Sequence, residues 1–160
     1  MKEPIDGIDS KIISYLQKDG RMAFTHIGKE LNIAESTIRA RVQRLIKENI
    51  IQIVAVANPL KLGFAVAGNM KIQAESKKLK QILKQLKTIK EFWYIALTTG
   101  SQDIDIDFHV RSLDDLRSLL FDKVNSIDGV IRTETSIVVH YEKRQYDWGT
   151  ALEENNVKNE

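Results

Sequence analysis

Residues 25–49 read THIGKELNIAESTIRARVQRLIKEN, and two helical periodicities meet at their centre. Ile27 and Leu31 lie one helical turn apart, and Ile38, Val42 and Leu45 then repeat the spacing of a single buried face. This predicts a short helix from Thr25 to about Leu31, with Thr25 as its cap, and a longer one from about Glu35 to Glu48. Asn32 falls between them, and asparagine is among the few residues that enter the left-handed backbone region a tight turn needs. Asn49 can end the second helix in the same way. Gly28 suits the place where two such helices pack most closely. Two short helices joined by a tight turn form a helix-turn-helix.

Upstream, Asp6 can cap a helix with Asp9 three residues on, and Ile8, Ile12, Ile13 and Leu16 form an apolar stripe that stops at Gly20. Three helices therefore share one small core. With Ile38, Val42 and Leu45 inward, the last of them turns Ser36, Arg39, Ala40, Gln43 and Lys47 outward and keeps Arg41 and Arg44 on its flanks. Arginine pairs with phosphate or takes the guanine edge bidentately, while Ser36, Thr37 and Gln43 offer neutral hydrogen bonds to bases or phosphates. Such a face fits a major groove of double-stranded DNA. A basic helix is often no more than a solvated surface; here the preceding helix and turn favour the DNA reading. The candidate DNA-binding residues are Ser36, Thr37, Arg39, Ala40, Arg41, Gln43 and Arg44.

From Ile51 the pattern changes. Asn58-Pro59 with Leu62-Gly63 breaks the chain, because proline fixes its own φ and lacks a backbone donor. Beyond it come a strand over 64–74, a helix over 75–90 with Leu79, Ile82, Leu83, Leu86 and Ile89 on one face, and a strand over 92–98. After a turn at 99–102, residues 103–110 alternate with a period of two, a helix runs over about 113–125, and Asp128-Gly129 turns into a last strand over 130–141. The order β-α-β-β-α-β predicts a ferredoxin-like sheet with both helices on one face. The fold class is therefore α+β: a helix-turn-helix module, winged-helix-like, over 1–57, a hinge over 58–63, a ferredoxin-like module over 64–143 and a tail over 144–160. The tail is polar (Glu153, Glu154, Asn155, Asn156, Lys158, Asn159, Glu160) and is expected to fray. If the open face of the sheet is apolar, Ala65, Ala67, Tyr94 or their neighbours pack on a second copy, so a homodimer is the economical expectation.

Composition removes several chemistries. The 160 residues include no cysteine, which excludes disulfide scaffolds, thiolate zinc sites and cysteine nucleophiles, and His26, His109 and His140 show no metal-ligand spacing. No apolar run is long enough to span a bilayer, and the first twenty residues are too charged for a signal-peptide core, so a cytoplasmic protein without cofactor is expected. The formal charge of +2 hides a division: residues 71–90 carry seven lysines against one glutamate, and residues 91–160 carry seven basic against fourteen acidic residues.

The motif from Ile5-Asp6-Gly7-Ile8-Asp9 through Leu16 to Asp19-Gly20-Arg21 resembles the opening of the Lrp/AsnC (feast/famine) transcriptional regulators. Leu31-Asn32-Ile33, Ser36-Thr37-Ile38 and Arg41-Val42-Gln43-Arg44-Leu45 resemble the family's recognition helix, with Ile50-Ile51 its exit into a strand. Asn58-Pro59 with Leu62-Gly63 resembles the hinge, Thr99-Gly100 with Asp103 the effector-binding loop, and Asp128-Gly129-Val130 with Thr133, Thr135 and Ser136 the last strand. The resemblance covers residues 5–141 and implies a DNA-binding regulator with an amino-acid effector, built from dimers that assemble further, often to octamers, with effectors between dimers. Thr99, Gly100, Asp103, Thr133 and Thr135 are the effector residues it implies. Ala34 departs from the family's usual capping serine, Asn32 and Asn49 stand in place of glycines, and Asp105 and Asp107 occupy strand positions that are usually apolar.

Asp103, Asp105 and Asp107 share one side of a strand. An EF-hand is excluded, since the sixth and twelfth positions from Asp103 are Phe108 and Asp114. The bland reading is that these acids pair with lysines or lie at a wet interface. The bolder one has Asp103 accept a hydrogen bond from the ammonium group of an amino acid, with backbone donors near Gly100 holding its carboxylate. Lys77, Lys78, Lys80, Lys84, Lys87 and Lys90 read as a solvated helix face that could also touch DNA, and Phe92-Trp93-Tyr94 as packing. Two rival functions stay open on sequence alone: a small ferredoxin-like enzyme, and an amino-acid sensor without DNA binding. No nucleophile–base pair or phosphate-cradling glycine loop supports the enzyme.

Overall fold

Asp6 and Asp9 bond each other's backbone: the Asp9 N–H donates to Asp6 Oδ1 at 2.8 Å and the Asp6 N–H to Asp9 Oδ2 at 3.1 Å. This reciprocal cap starts α1 (Gly7–Lys18) in the computed structural model, which describes residues 5–152. The polar residues from Glu153 onward lie outside the described residues. The chain divides into two units. Among the described residues, one comprises 5–56 together with 143–152, and the other runs from Ala57 to Glu142.

In the first unit, α2 (Phe24–Leu31) and α3 (Glu35–Lys47) follow α1, and Ile12, Leu16, Ile27, Ile38 and Val42 form their common core. Ile8 does not join it. It stays 36% exposed because Asp9 and Ser10 are the buried residues of that turn. Thr25 is not the cap of α2 either: the cap lies two residues earlier, at Ala23, whose carbonyl takes the first N–H groups, those of His26 and Ile27. The turn forms as its residues predict. Asn32 has φ 54°, and the N–H of Ile33 reaches back to the carbonyl of Gly28 at 2.8 Å. A Cβ on Gly28 would lie 2.6 Å from the Ile33 oxygen, so only glycine fits without a shift of backbone. Asn49, with φ 56°, closes α3 in the same manner, the Ile50 N–H bonding the Leu45 carbonyl at 2.9 Å.

The expected strand at Ile50-Ile51, the start of a wing, is not formed. Residues 51–58 carry neither helix nor strand, since a ladder needs a neighbouring strand to take its hydrogen bonds. The first unit instead gains the described part of the tail. The Gly149 N–H donates to Gln17 Oε1 at 3.0 Å, Gln17 Nε2 donates to the Gly149 carbonyl at 3.4 Å, and the Ser10 and Thr150 hydroxyls bond each other.

The second unit holds β1 (Val66–Ala74), a 3₁₀ turn (Ser76–Lys78) leading into α4 (Leu79–Leu86), β2 (Phe92–Leu97), β3 (Ile104–Val110), α5 (Leu113–Ser118) extended by π-helical turns (Leu119–Val124), and β4 (Val130–Ile137). The sheet order is β2-β3-β1-β4 with every neighbour antiparallel, which is the ferredoxin-like arrangement. Several elements are shorter than their patterns suggested: α4 stops at Leu86 and β4 at Ile137. Even-numbered residues of β1 and β3 (Met70, Ile72, Ile104, Ile106, Phe108) bury against Ile82, Leu86, Leu116, Leu119 and Val124.

The open face of this sheet is polar at its centre, which corrects the apolar face expected to drive pairing. Asn69 stands between Asp107 and Ser136 in register, and Lys71 between Asp105 and Glu134. Ala67 is already buried within the chain, Ala65 is exposed, and Trp93 and Tyr94 present large apolar surface there. Trp93 stacks on His109, with ring centroids 5.8 Å apart.

Candidate nucleic-acid and ligand sites

The three arginines of α3 have different surroundings. Arg41 donates to Asp6 Oδ2 at 2.7 Å and to Asp9 Oδ1 at 2.9 Å; Arg44 donates to Asp9 Oδ2 at 2.5 Å and to Glu48 at 3.2 Å. Asp9 is 1% exposed, so its charge is removed from water and needs these two partners. The Arg41 guanidinium, helped by the Asp9 N–H, holds the Asp6 carboxyl below its usual range; Asp6 and Asp9 in turn raise Arg41 further, and Asp9 does the same for Arg44. These two candidate contacts thus tie α3 to the cap of α1. Sequence reading took Asp6 and Asp9 only as caps and missed this second role; the signal was two acids at the start of α1 and two arginines three apart on α3.

Arg39 is turned the other way. It is exposed, pairs with Glu35 one turn back at 2.5 Å, and lays its guanidinium 5.3 Å from the Phe24 ring centroid. Ser36, Thr37, Ala40, Gln43 and Lys47 share its exposure. The outward surface of α3 therefore carries one arginine, one lysine, three neutral hydrogen-bonding side chains and a methyl group. It can meet base edges and phosphates together.

The loop between β2 and β3 is the candidate ligand site. Gly100 has φ 121°, a conformation that favours glycine, and the Thr98 N–H bonds the Asp103 carbonyl at 3.0 Å. The Asp103 carboxylate accepts the Ala74 N–H at 2.8 Å through Oδ2 and so fastens the loop to the end of β1. Beside it, Gln102 Oε1 is buried and has no hydrogen-bond partner among the described residues. Sequence reading passed over Gln102, since a single glutamine in a turn carries no pattern.

Thr133 and Thr135 do not converge with this loop. Thr133 is in register with Ile72, which is in register on its other side with Ile104, so β1 lies between the two, a separation of about 10 Å at the usual strand spacing. Both threonines stand opposite core residues, Ile72 and Met70, and Thr133 bonds Asn125 at 3.1 Å. Asp105 and Asp107 find their partner in the Asn69 amide, which donates to both, rather than in a lysine. Among the described residues no group of three histidines, cysteines or acids is placed to hold a metal ion, and no helix is long and apolar enough to cross a membrane.

A helix-turn-helix with an exposed polar and basic second helix, followed by a ferredoxin-like module, defines a DNA-binding regulator with a ligand domain. Comparison with known proteins agrees over nearly the whole chain. The AsnC-type helix-turn-helix domain matches residues 5–46, and the Lrp/AsnC ligand binding domain matches residues 69–148. An HTH-type transcriptional regulator of Pyrococcus abyssi is 38% identical over 151 residues, covering 94% of this chain and 93% of its own. The regulator FL11 of Pyrococcus furiosus is 35% identical, covering 89% and 95%. Among solved structures, AsnC of E. coli superposes with a TM-score of 0.80 at 29% identity, over 88% of this chain and 96% of its own. A Neisseria meningitidis transcriptional regulator solved as an L-Met complex shares the fold, with a TM-score of 0.81 at 18% identity over 89% and 95%. The chain belongs to the Lrp/AsnC family of transcriptional regulators. Its relatives are regulators, not enzymes.

Proposed function

We propose that a homodimer places its two α3 helices in successive major grooves of a pseudo-palindromic site, with half-sites about one helical turn, roughly 34 Å, apart. Ser36, Thr37, Arg39, Ala40 and Gln43 face the bases and phosphates. Arg41 and Arg44 reach DNA only in part, because their first partners are the acids of α1. The observation that carries this reading is that Arg39 alone of the three has no tie to α1 and stands among exposed hydrogen-bonding residues. Arg39→Ala should weaken binding to a footprinted site by about 1–3 kcal/mol if it reads a base, and lower the salt slope by about one unit if it meets a phosphate. A gel-shift series in which Arg39→Ala binds as the parent does, with the same salt dependence, overturns the assignment; the absence of any specific footprint would favour a sensor without DNA binding.

We infer further that a small amino acid regulates the protein from the β2–β3 loop. Its ammonium group meets Asp103 and the unpartnered Gln102 Oε1, and backbone donors near Thr99 and Gly100 hold its carboxylate. Thr133 and Thr135 enter as contributions from a neighbouring copy, in an assembly of dimers such as an octamer. Calorimetry with each standard amino acid should find one that binds the parent and binds Asp103→Ala at least tenfold more weakly, and sedimentation should show whether that ligand changes the assembly. If none binds, the effector reading fails and the DNA reading stands.

A further inference from the structure

The two helices that cover the sheet carry charge in opposite ways. The helix α5 is capped by Ser112, holds Asp114 and Asp115 in its first turn and Arg117 in its last, so its charges follow the helix dipole. Lys123, in the turns that continue it, pairs with Glu91 at 2.6 Å. In α4 there is no acid at all: its first turn has none, its N-cap is Lys78, and Lys80 follows within that turn, against the dipole. Lys78 alone finds partners, Glu75 at 3.3 Å and Asp128 at 2.8 Å.

Lys80, Lys84 and Lys87 are exposed, and no carboxylate among the described residues pairs with them. At 3.6 residues per turn they fall within about 60° of one another, on the side opposite the buried Ile82 and Leu86. Like charges three and four residues apart destabilise a helix, so the row weakens α4 rather than supporting it. Along the axis it rises by about 6 Å and then about 4.5 Å, a length that about three phosphates of one strand span at about 3.4 Å of duplex axis each. A linear polyanion would turn this repulsion into attraction.

We propose that the lysine row of α4 is a second, sequence-independent contact for the backbone phosphates of duplex DNA. Duplex DNA is the occupant because the chain is already a DNA-binding regulator, which brings a long polyanion to the molecule. The contact needs no base and no groove, only phosphates in a row.

The test uses the full-length chain and unrelated duplexes of about two and about six helical turns, at several salt concentrations. K80Q/K84Q/K87Q removes the row, and K61Q/R111Q/R117Q removes as many charges from exposed positions elsewhere in the same unit. The row variant should bind both duplexes more weakly than the parent, at least tenfold on the long one, with a salt slope smaller by about 0.9 for each phosphate it no longer neutralises. The scattered-charge variant should match the parent on both. Equal weakening in the two variants, or unchanged binding of the row variant to the long duplex, would each overturn the proposal. So would binding of the parent, but not the row variant, to anionic lipid vesicles without any difference on long DNA, which would assign the row to a membrane surface instead.

Discussion

Asp9 has two tasks at one position, and both rest on its charge. Its carboxylate caps the Asp6 N–H and also receives Arg41 and Arg44, while its own exposure is 1%. Asn could keep the shape but would replace charge-assisted bonds with neutral ones. Asp9→Asn should cost about 1.5–3 kcal/mol in the first unit, read from urea unfolding, and should weaken DNA binding indirectly, because α3 loses its brace. Asp6 adds a pH dependence whose sign follows from its lowered pKa, caused first by the Arg41 bond. A carboxyl that ionises more readily when folded stabilises above its unfolded value, near 3.8, and loses that contribution as pH falls through the lower folded value. Arg41→Gln should therefore flatten the fall of stability below about pH 4; an acid limb as steep as the parent's would show that the pair contributes nothing.

Among the elements, α3 begins without a side-chain cap. Ala34 has an extended backbone at the N-cap position and no side-chain oxygen to take an orphan N–H. Ala34→Ser should raise the stability of the first unit by about 1 kcal/mol, seen as a higher urea midpoint with unchanged slope. What could be read in the sequence was what depends on local periodicity. The buried faces of α1 to α3, both left-handed asparagines and the alternation of β3 follow from spacing and from backbone preferences of single residues. What could not be read depends on neighbours distant in sequence. The Arg41–Asp9 pair joins α1 to α3 with α2 between them in the chain, the polar centre of the open sheet face appears only once β1, β3 and β4 are in register, and Ala23 takes the place of Thr25 as cap because the chain enters α2 two residues early. The site residues divide along the same line. Arg39 and Gln43 face outward as their spacing implies, whereas the separation of Thr133 from Asp103 by a full strand needed the sheet order.

At the scale of the whole molecule, the described residues 5–56 and 143–152 belong to one unit, with residues 57–142 forming the other. Among the described residues, the tail bonds α1 through two hydrogen bonds between Gln17 and Gly149 and one between Ser10 and Thr150. Each contributes about 0.5–1.5 kcal/mol net, so together they approach the roughly 4 kcal/mol of a millimolar complex. A tethered segment meets its site at an effective concentration of about that same order. On these three bonds alone, docking depends on tethering more than on affinity. A synthetic peptide of residues 143–152 at micromolar concentration should leave Ser10 and Gln17 vacant by chemical-shift mapping, and the Gly149 amide in the intact chain should be protected from hydrogen exchange only a few-fold.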